Sequence, residues 1–422
     1  MASAACAYLL GSIERHGADV RVGIDKRAMT ALSGGHLAVD FASGSVPALI
    51  PFMTARFHLG YALAAMLLLT ATVSSSLMQP LFGLWSDRRG ALWLIPGGTM
   101  LAAIGMGGAA ISPLYPLVLL LVLVGGLGVA AFHPEGSKFA AFASGRKRAS
   151  GMAYFNSGGN AGYALGAFAT GQLVVWLGLV GGLVAMAPVL LVSLALVRVV
   201  PNLSRLTPET GGTAFNRGDD RRRAMVLLGT VIALRSVAWF TLLAFVPLWV
   251  VSAGHSRADG NRLLFLMLLA GAAGTLMLGP IADRIGLRVT LVITQTLITP
   301  LILVFVYVGG VPGVLALMLV GVCVVGTFGV TMVLSQLYLP RHVGMASGLS
   351  VGLAMGIGGV AAVIAGAIAD AVDLKTALTI SALAPALGVV FCLKLPAPAT
   401  RAQALATPAA AAVLPSARNV ET

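Results

Sequence analysis

The chain has 422 residues, of which 58% are hydrophobic and 10% are charged, and its formal net charge is +13. Soluble proteins carry about 25% charged residues, so this composition excludes an ordinary soluble protein and indicates an integral membrane protein. The positive charge is explained by the distribution of basic residues along the loops, and we do not expect nucleic acid as a partner.

Apolar runs of about 20 residues recur along the chain, and each is long enough to cross roughly 30 Å of hydrocarbon as a helix. The alternating pattern of transmembrane strands is absent. Lipid obliges each crossing segment to satisfy its own backbone hydrogen bonds, so we predict an all-α integral membrane fold. Its twelve predicted crossings are 29–52, 62–84, 91–111, 115–141, 150–175, 179–199, 224–252, 262–282, 288–309, 313–338, 346–370 and 376–395.

The basic residues fix the predicted orientation. With both termini in the cytoplasm, the cytoplasmic loops and tails hold 22 of the 27 lysines and arginines, and the opposite side holds four. We therefore predict a multi-pass protein of the inner (cytoplasmic) cell membrane. Its predicted parts are a cytoplasmic tail (1–28), two six-helix bundles (29–199 and 224–395), a cytoplasmic linker between them (200–223) and a disordered tail (396–422).

The first crossing carries Ser33, His36 and Asp40 on one helix face, because these residues are three and four positions apart. Asp40 lies about 12 residues into the crossing, which at 1.5 Å per residue is about 18 Å deep, near the midplane. Charged groups at that depth are costly and usually functional. We predict that Asp40 and His36 take part in proton coupling; the alternative is a static pair that stabilises helix contacts.

A charged loop occurs twice inside the hydrophobic pattern. The segment Gly-Leu-Trp-Ser-Asp-Arg-Arg-Gly at 83–90 returns as Gly-Pro-Ile-Ala-Asp-Arg-Ile-Gly at 279–286, so Asp283 follows Asp87 by 196 positions. Such a repeat indicates two copies of one helical unit, and duplicated membrane bundles are mostly transporters with the solute site between the halves. We predict a conformational latch, with a solvated turn as the alternative; its residues are Gly83, Asp87, Arg88, Gly279, Asp283 and Arg284.

The fourth crossing contains His133, Pro134 and Glu135, with Lys138 one turn beyond. Proline inside a helix frees a carbonyl and bends the backbone, which is tolerated where a helix lines a cavity. We predict proton coupling for Glu135 and substrate binding for His133. An ion pair between Glu135 and Lys138 near the cytoplasmic surface is the alternative.

The fifth crossing carries Asn156 and Asn160 one turn apart, among the glycines 158, 159, 162 and 166. The glycines predict close helix packing, and the two amides could hydrogen-bond a polar solute. We include Asn156, Asn160 and Tyr154 among the candidate substrate contacts.

Arg235 lies about 12 residues into the seventh crossing, and the repeat offset of 196 places it opposite Val39, next to Asp40. Its planar guanidinium is always charged and suits carboxylate or phosphate groups. The residue is either a permanent partner for an acid or the anchor of an anionic substrate. Trp239, one turn on, is a further candidate substrate contact.

Together the motifs resemble the major facilitator superfamily and, within it, the fosmidomycin resistance protein family. The resemblance covers roughly 30–395; its motifs are the repeated charged loop, Ser33-x-x-His36-x-x-x-Asp40, Phe132-His133-Pro134-Glu135, Ala143-Ser144-Gly145, Gly158-Gly159-Asn160-x-Gly162, Leu234-Arg235-Ser236 and Phe245-Val246-Pro247-Leu248. It implies a twelve-helix fold, a monomer, and proton-driven export of drugs, with the phosphonate antibiotic fosmidomycin as the namesake substrate. It also implies a cavity lined by crossings 1, 4, 7 and 10, although crossing 10 offers only Ser335 and Gln336 as polar candidates near its cytoplasmic end.

We expect a proton/solute antiporter rather than an enzyme, with a small-molecule substrate, protons and the lipid bilayer as partners and no cofactor. An uptake symporter or facilitator for a polar metabolite would share every feature above. A membrane enzyme or receptor is a further alternative, since His133, Glu135 and His36 could be taken as metal ligands. His133 and Glu135 are two positions apart across a proline and so lie on different helix faces, which argues against a metal site. No nucleotide-binding Gly-x-x-x-x-Gly-Lys-Ser/Thr loop occurs in the sequence, which argues against an ATP-driven pump.

Overall fold

The computed structural model of the protein describes residues 23–89, 91–145, 148–206, 219–340 and 343–397. Most of the predicted N-terminal tail, half of the predicted linker (207–218) and nearly all of the C-terminal tail lie outside the described residues. The described chain is helical, and no strand occurs in it. The predicted all-α class is therefore confirmed.

Seven helices form the first part of the described chain. They are α1 (Lys26–Phe57), α2 (Tyr61–Arg89), α3 (Leu94–Ile111), α4 (Tyr115–Ala143), α5 (Arg148–Leu177), α6 (Val180–Ala185) and α7 (Ala187–Leu203). Several prolines lie inside helices, including Pro47 and Pro51 in α1 and Pro134 in α4. Proline is tolerated in membrane helices because neighbouring groups satisfy the freed carbonyls.

Seven more helices follow the predicted linker. They are α8 (Arg222–Ser252), α9 (Arg257–Ile285), α10 (Leu287–Tyr307), α11 (Gly310–Val325), α12 (Phe328–Tyr338), α13 (Val343–Ala371) and α14 (Leu374–Leu393). Ser256 caps α9 by accepting the N–H of Asp259, and Asp373 caps α14 by accepting the N–H of Thr376. Such side-chain caps satisfy N–H groups that have no partner inside the helix.

Each predicted crossing falls on a helix or on two consecutive helices. The sixth divides into α6 and α7 around Met186, and the tenth divides into α11 and α12 around Thr327. Within the described residues, eleven helical spans are long and apolar enough to cross a membrane. The fifth predicted crossing, on α5, is not among them, because its serines, asparagines and glycines lower the hydropathy of a 30-residue helix.

The chain divides into two compact units. The first comprises the described residues of Met1–Phe52 and Thr70–Gly211, and the second those of Met53–Leu69 and Gly212–Thr422. The end of α1 and the start of α2 therefore cluster with the C-terminal part of the chain. The two six-helix bundles stay a prediction.

In the first unit, α5 approaches the backbone of α1 through glycine. A Cβ added at Gly158 would lie 2.5 Å from the carbonyl oxygen of Ser33, and one at Gly166 would overlap the carbonyl oxygen of Phe41. This close approach requires residues without side chains. It places the polar face of α1 directly against α5.

In the second unit, the start of α2 is held by the end of α13. The carboxylate of Asp370 accepts the N–H of Tyr61 at 2.6 Å and that of Ala62 at 2.9 Å. One turn before Asp370, an added Cβ at Gly366 would lie 2.7 Å from backbone atoms of Tyr61 and Ala62. The ring of Tyr61 also meets Phe245 of α8 edge to face, with 6.0 Å between the centroids.

Candidate functional site

Two imidazoles converge on the carboxylate of Asp40 in the first unit. His36 Nε2 lies 3.2 Å from Asp40 Oδ2, one helical turn away on α1. His133 Nε2, on α4, lies 3.5 Å from Asp40 Oδ1. We call these three residues the histidine–aspartate cluster.

The backbone determines how both imidazoles are oriented. His36 Nδ1 lies 2.8 Å from the carbonyl oxygen of Phe155, and His133 Nδ1 lies 2.9 Å from that of Val129. A carbonyl oxygen only accepts hydrogen bonds, so each Nδ1 carries the proton that it donates. Each Nε2 is left to face Asp40, where it offers a lone pair when the imidazole is neutral and a proton when it is charged.

The surroundings of the cluster are partly apolar and partly open. His36 stacks on the ring of Phe155 with 4.1 Å between centroids, and Phe132 lies 6.0 Å away on α4. The exposed fraction of the side chain rises from 8% for His36 to 19% for Asp40 and 25% for His133. The cluster therefore has one buried imidazole and two groups that a solute or ion can reach.

Gly159 on α5 packs closely against the cluster. A Cβ added there would lie 2.5 Å from His36 Nε2 and 2.6 Å from Asp40 Oδ2. Such distances are far below van der Waals contact, so a side chain at this position would displace the pair. The absence of a side chain lets α5 approach both polar atoms.

Glu135 forms an ion pair with a lysine of its own helix. Its Oε2 lies 2.7 Å from Lys138 Nζ, and the glutamate side chain is only 1% exposed. This ion pair is the predicted alternative to proton coupling by Glu135, although the glutamate is buried rather than at a surface. A role of Glu135 in proton coupling stays a prediction.

Arg235 is buried in the second unit, with 1% of its surface exposed. Its Nη1 donates to Thr327 Oγ1 at 2.5 Å, and its guanidinium lies 5.1 Å from the centroid of the Phe328 ring. Its Nε and Nη2 have no hydrogen-bond acceptor in the described part of the chain. No carboxylate among those residues lies within ion-pair distance of Arg235, so a permanent acid partner is not seen there.

The remaining predicted substrate contacts lie on the helices of these two sites. Asn156 and Tyr154 are exposed on α5, and Asn160 is half-buried next to Gly159. Trp239 is buried on α8, one turn after Arg235. Their contact with a solute stays a prediction.

The predicted latch residues lie at the ends of α2 and α9. Gly83 is on α2, and the side chains of Asp87 and Arg88 lie outside the described residues. Gly279, Asp283 and Arg284 are in the last turns of α9, and the side chains of Asp283 and Arg284 are exposed. The N-cap of α10 is Gly286, which makes no side-chain cap bond, so Asp283 does not cap that helix. The latch itself stays a prediction.

Sequence reasoning assigned His133 to the substrate, whereas the structure places it against Asp40. The same reasoning assigned no role to Asp370 or to the contact of Gly159 with the cluster. The bend expected at Pro134 drew attention to this part of α4 but did not predict that His133 faces Asp40.

Comparison with known proteins gives consistent matches. A family model described as Major Facilitator Superfamily matches residues 32–363. An uncharacterized MFS-type transporter, YfnC of Bacillus subtilis (strain 168), is 31% identical over 365 residues, which cover 84% of this chain and 89% of that protein. The fosmidomycin resistance protein of Escherichia coli (strain K12) is 29% identical over 374 residues, which cover 85% of this chain and 90% of that protein.

Two solved structures are similar in fold. A bacterial homolog of the human lysosomal transporter Spinster, in an inward-facing and unoccupied conformation, has a TM-score of 0.72 at 14% identity, covering 88% of this chain and 96% of that chain. The nucleoside transporter NupG, solved as a point mutant, has a TM-score of 0.69 at 14% identity, covering 87% of this chain and 99% of that chain. At these identities the likeness concerns the fold alone.

Proposed function

Because the chain belongs to the Major Facilitator Superfamily, we propose that it is a proton-coupled antiporter that exports small polar or anionic compounds by alternating access. Secondary transport is the activity of this superfamily. The proposal adds three statements to this activity: outward flux, coupling to protons and an anionic solute. The similarity to a fosmidomycin resistance protein makes phosphonates the first solutes to test.

The choice of an anionic solute rests on the missing hydrogen-bond acceptors of Arg235. Its Nε and Nη2 lack acceptors among the described residues, although the side chain is buried. Leaving a buried charge without a partner is strongly unfavourable. A phosphonate or carboxylate could take both free N–H groups at once, because its two oxygens match the planar guanidinium.

The histidine–aspartate cluster supports the coupling step. Asp40 is partly exposed and lies beside two imidazoles whose Nε2 atoms face it. Imidazole and carboxylate groups at such distances can pass a proton from one to the other. In the proposed cycle, Asp40 takes up a proton from the outside and releases it to the cytoplasm, while the solute moves in the opposite direction.

The proposed setting follows the distribution of basic residues. With 22 of the 27 lysines and arginines on one side of the predicted crossings, that side is taken as the cytoplasm. We accordingly propose the cytoplasmic membrane as its location, with both termini inside; the proposed monomer rests on the resemblance to the superfamily alone. The predicted latch residues lie on the same side.

The test is collapse of a preformed proton gradient in everted membrane vesicles when fosmidomycin is added. We expect proton release with the intact protein and none with Asp40→Asn, which keeps the size of the side chain. Asp259→Asn is the matched control, because Asp259 is exposed and pairs only with its neighbours Ser256 and Arg262. If neither fosmidomycin nor a cationic dye releases protons, the export proposal is wrong and uptake of a metabolite is the better account.

A further inference from the structure

We propose that His36, Asp40 and His133 bind one divalent transition-metal ion of the zinc class, with a fourth coordination position left open. The site goes beyond the proposed transport activity and does not depend on it. It rests on the direction of the donor atoms and on their spacing.

The direction of the donor atoms is fixed from outside the cluster. Because Phe155 and Val129 each accept the Nδ1 proton of one imidazole, the lone pairs of both Nε2 atoms point at the carboxylate. When both imidazoles are neutral, three acceptor groups face one another, and this arrangement favours a cation. In metal sites a ligating histidine almost always donates its second N–H to a carbonyl or carboxylate, as both histidines do here.

The spacing of the donor atoms is close to that of a site for one ion. Zinc binds histidine nitrogen and carboxylate oxygen at about 2.0–2.2 Å, so two ligand atoms of a tetrahedral site lie about 3.3 Å apart. The nitrogen–oxygen distances here are 3.2 Å to Oδ2 and 3.5 Å to Oδ1 of the carboxylate. One donor atom from each of the three residues can be chosen so that all lie within 4.8 Å of one another, and the side chains need to move only slightly closer to hold one ion.

Gly159 packs against two of the donor groups. A Cβ added there would lie 2.5 Å from His36 Nε2 and 2.6 Å from Asp40 Oδ2, so only a glycine lets α5 approach them this closely. A side chain at this position would displace the pair and disturb the geometry of the donor atoms. The partial exposure of Asp40 and His133 provides a path for entry of an ion.

The chemistry of the donors selects the ion. Two imidazoles and one carboxylate suit zinc, cobalt, nickel or copper, whereas magnesium and calcium prefer oxygen ligands. Three protein ligands leave a fourth position for water or for an oxygen atom of a solute. The cluster also joins α1 to α4, so an ion held there would link these two helices.

The proposal is tested by equilibrium dialysis of the purified full chain in lipid nanodiscs against Zn²⁺, followed by metal analysis. The protein is purified without a polyhistidine tag. We expect one tightly bound ion per chain, and Co²⁺ in its place is expected to give the visible absorption of a tetrahedral site. His133→Gln removes one ligand and is expected to weaken binding at least tenfold.

Two further variants sharpen the test. Gly159→Ala displaces His36 Nε2 and Asp40 Oδ2 without removing a ligand and is also expected to weaken binding at least tenfold. His255→Gln removes an exposed histidine outside the cluster and should bind like the intact chain. Size-exclusion profiles and helical circular dichroism establish that each variant is folded.

The proposal is overturned if the folded, intact chain binds no Zn²⁺. It is also overturned if binding is unchanged in His133→Gln, which would place the ion elsewhere. The vesicle assay with a metal chelator tests transport separately, so failure of the metal site and failure of proton-coupled export are distinguishable.

Discussion

Asp370 accepts the main-chain N–H of Tyr61 at 2.6 Å, although the two residues are 309 positions apart in the chain. The first N–H groups of a helix have no acceptor within that helix, and a negative charge near them is favourable. Asp370 supplies both the acceptor and the charge for the start of α2. This contact explains why residues 53–69 cluster with the C-terminal part of the chain.

Asp370→Ala is expected to loosen the start of α2, because Tyr61 and Ala62 lose their acceptor. Amide hydrogen exchange of a peptide covering residues 60–69 should become up to about tenfold faster, since hydrogen bonds to charged groups are worth more than neutral ones. Asp373→Ala is the matched control, as it removes the cap of α14 three residues later. Equal exchange in all three proteins would contradict a stabilising role for Asp370.

Gly366→Ala is expected to destabilise the second unit by about 1–3 kcal/mol, because its new Cβ meets backbone atoms of α2 that cannot move aside. Thermal unfolding in detergent measures the effect. Gly356→Ala lies on the same helix with nothing within 4 Å of its Cβ, and should be neutral or slightly stabilising. A Gly366→Ala protein as stable as the intact chain would mean that α2 and α13 are not packed this closely.

Arg235→Lys is expected to raise the KM for the phosphonate of the vesicle assay at least tenfold. Lysine keeps the charge but cannot present two parallel N–H groups to the solute. Arg262→Lys is the control, because Arg262 is 58% exposed and forms a local pair with Asp259. An unchanged KM in Arg235→Lys would assign the arginine to the packing of α8 rather than to the solute.

The cap of α14 is expected to depend on pH. The N–H of Thr376 holds the pKa of the Asp373 carboxyl below its usual range. A carboxyl whose pKa is lowered by folding contributes stability above its ordinary pKa of about 3.9, and that stability is lost as the pH falls through the folded value. The difference in melting temperature between the intact chain and Asp373→Ala should therefore shrink below about pH 4.

Asp373→Asn separates charge from capping, since asparagine keeps an acceptor oxygen but does not titrate in this range. The difference in melting temperature between Asp373→Asn and Asp373→Ala should stay constant between pH 3 and pH 7. If the difference between the intact chain and Asp373→Ala is constant over the same range, the charge of Asp373 contributes nothing to the cap.

The fold could be predicted because the apolar composition of each crossing reflects the lipid around it. A run of about 20 apolar residues must form a helix in lipid, whatever its neighbours are, and the positions of α1 to α14 follow these runs. Breaks within a crossing were harder to predict. The division between α11 and α12 at Thr327 involves a side chain that bonds both the backbone of its own helix and Arg235.

The candidate site was predictable only where its residues share a helix. His36 and Asp40 are one turn apart, so helical spacing alone brings them together. His133 lies on a different helix, directly before a proline, and periodicity does not specify which α1 residue it faces. The contact between Asp370 and Tyr61 depends on tertiary structure in the same way.

The close packing of α5 on α1 has a consequence for how the protein is made. A segment leaves the translocon for lipid when it is apolar enough, and α5, with Asn156, Ser157 and Asn160, is not among the spans that meet this requirement. Its glycines fit the backbone of α1, where the polar face carries His36 and Asp40. We therefore expect α1 to remain beside the translocon until α5 emerges, so that membrane insertion of the fifth crossing depends on a helix synthesised about a hundred residues earlier.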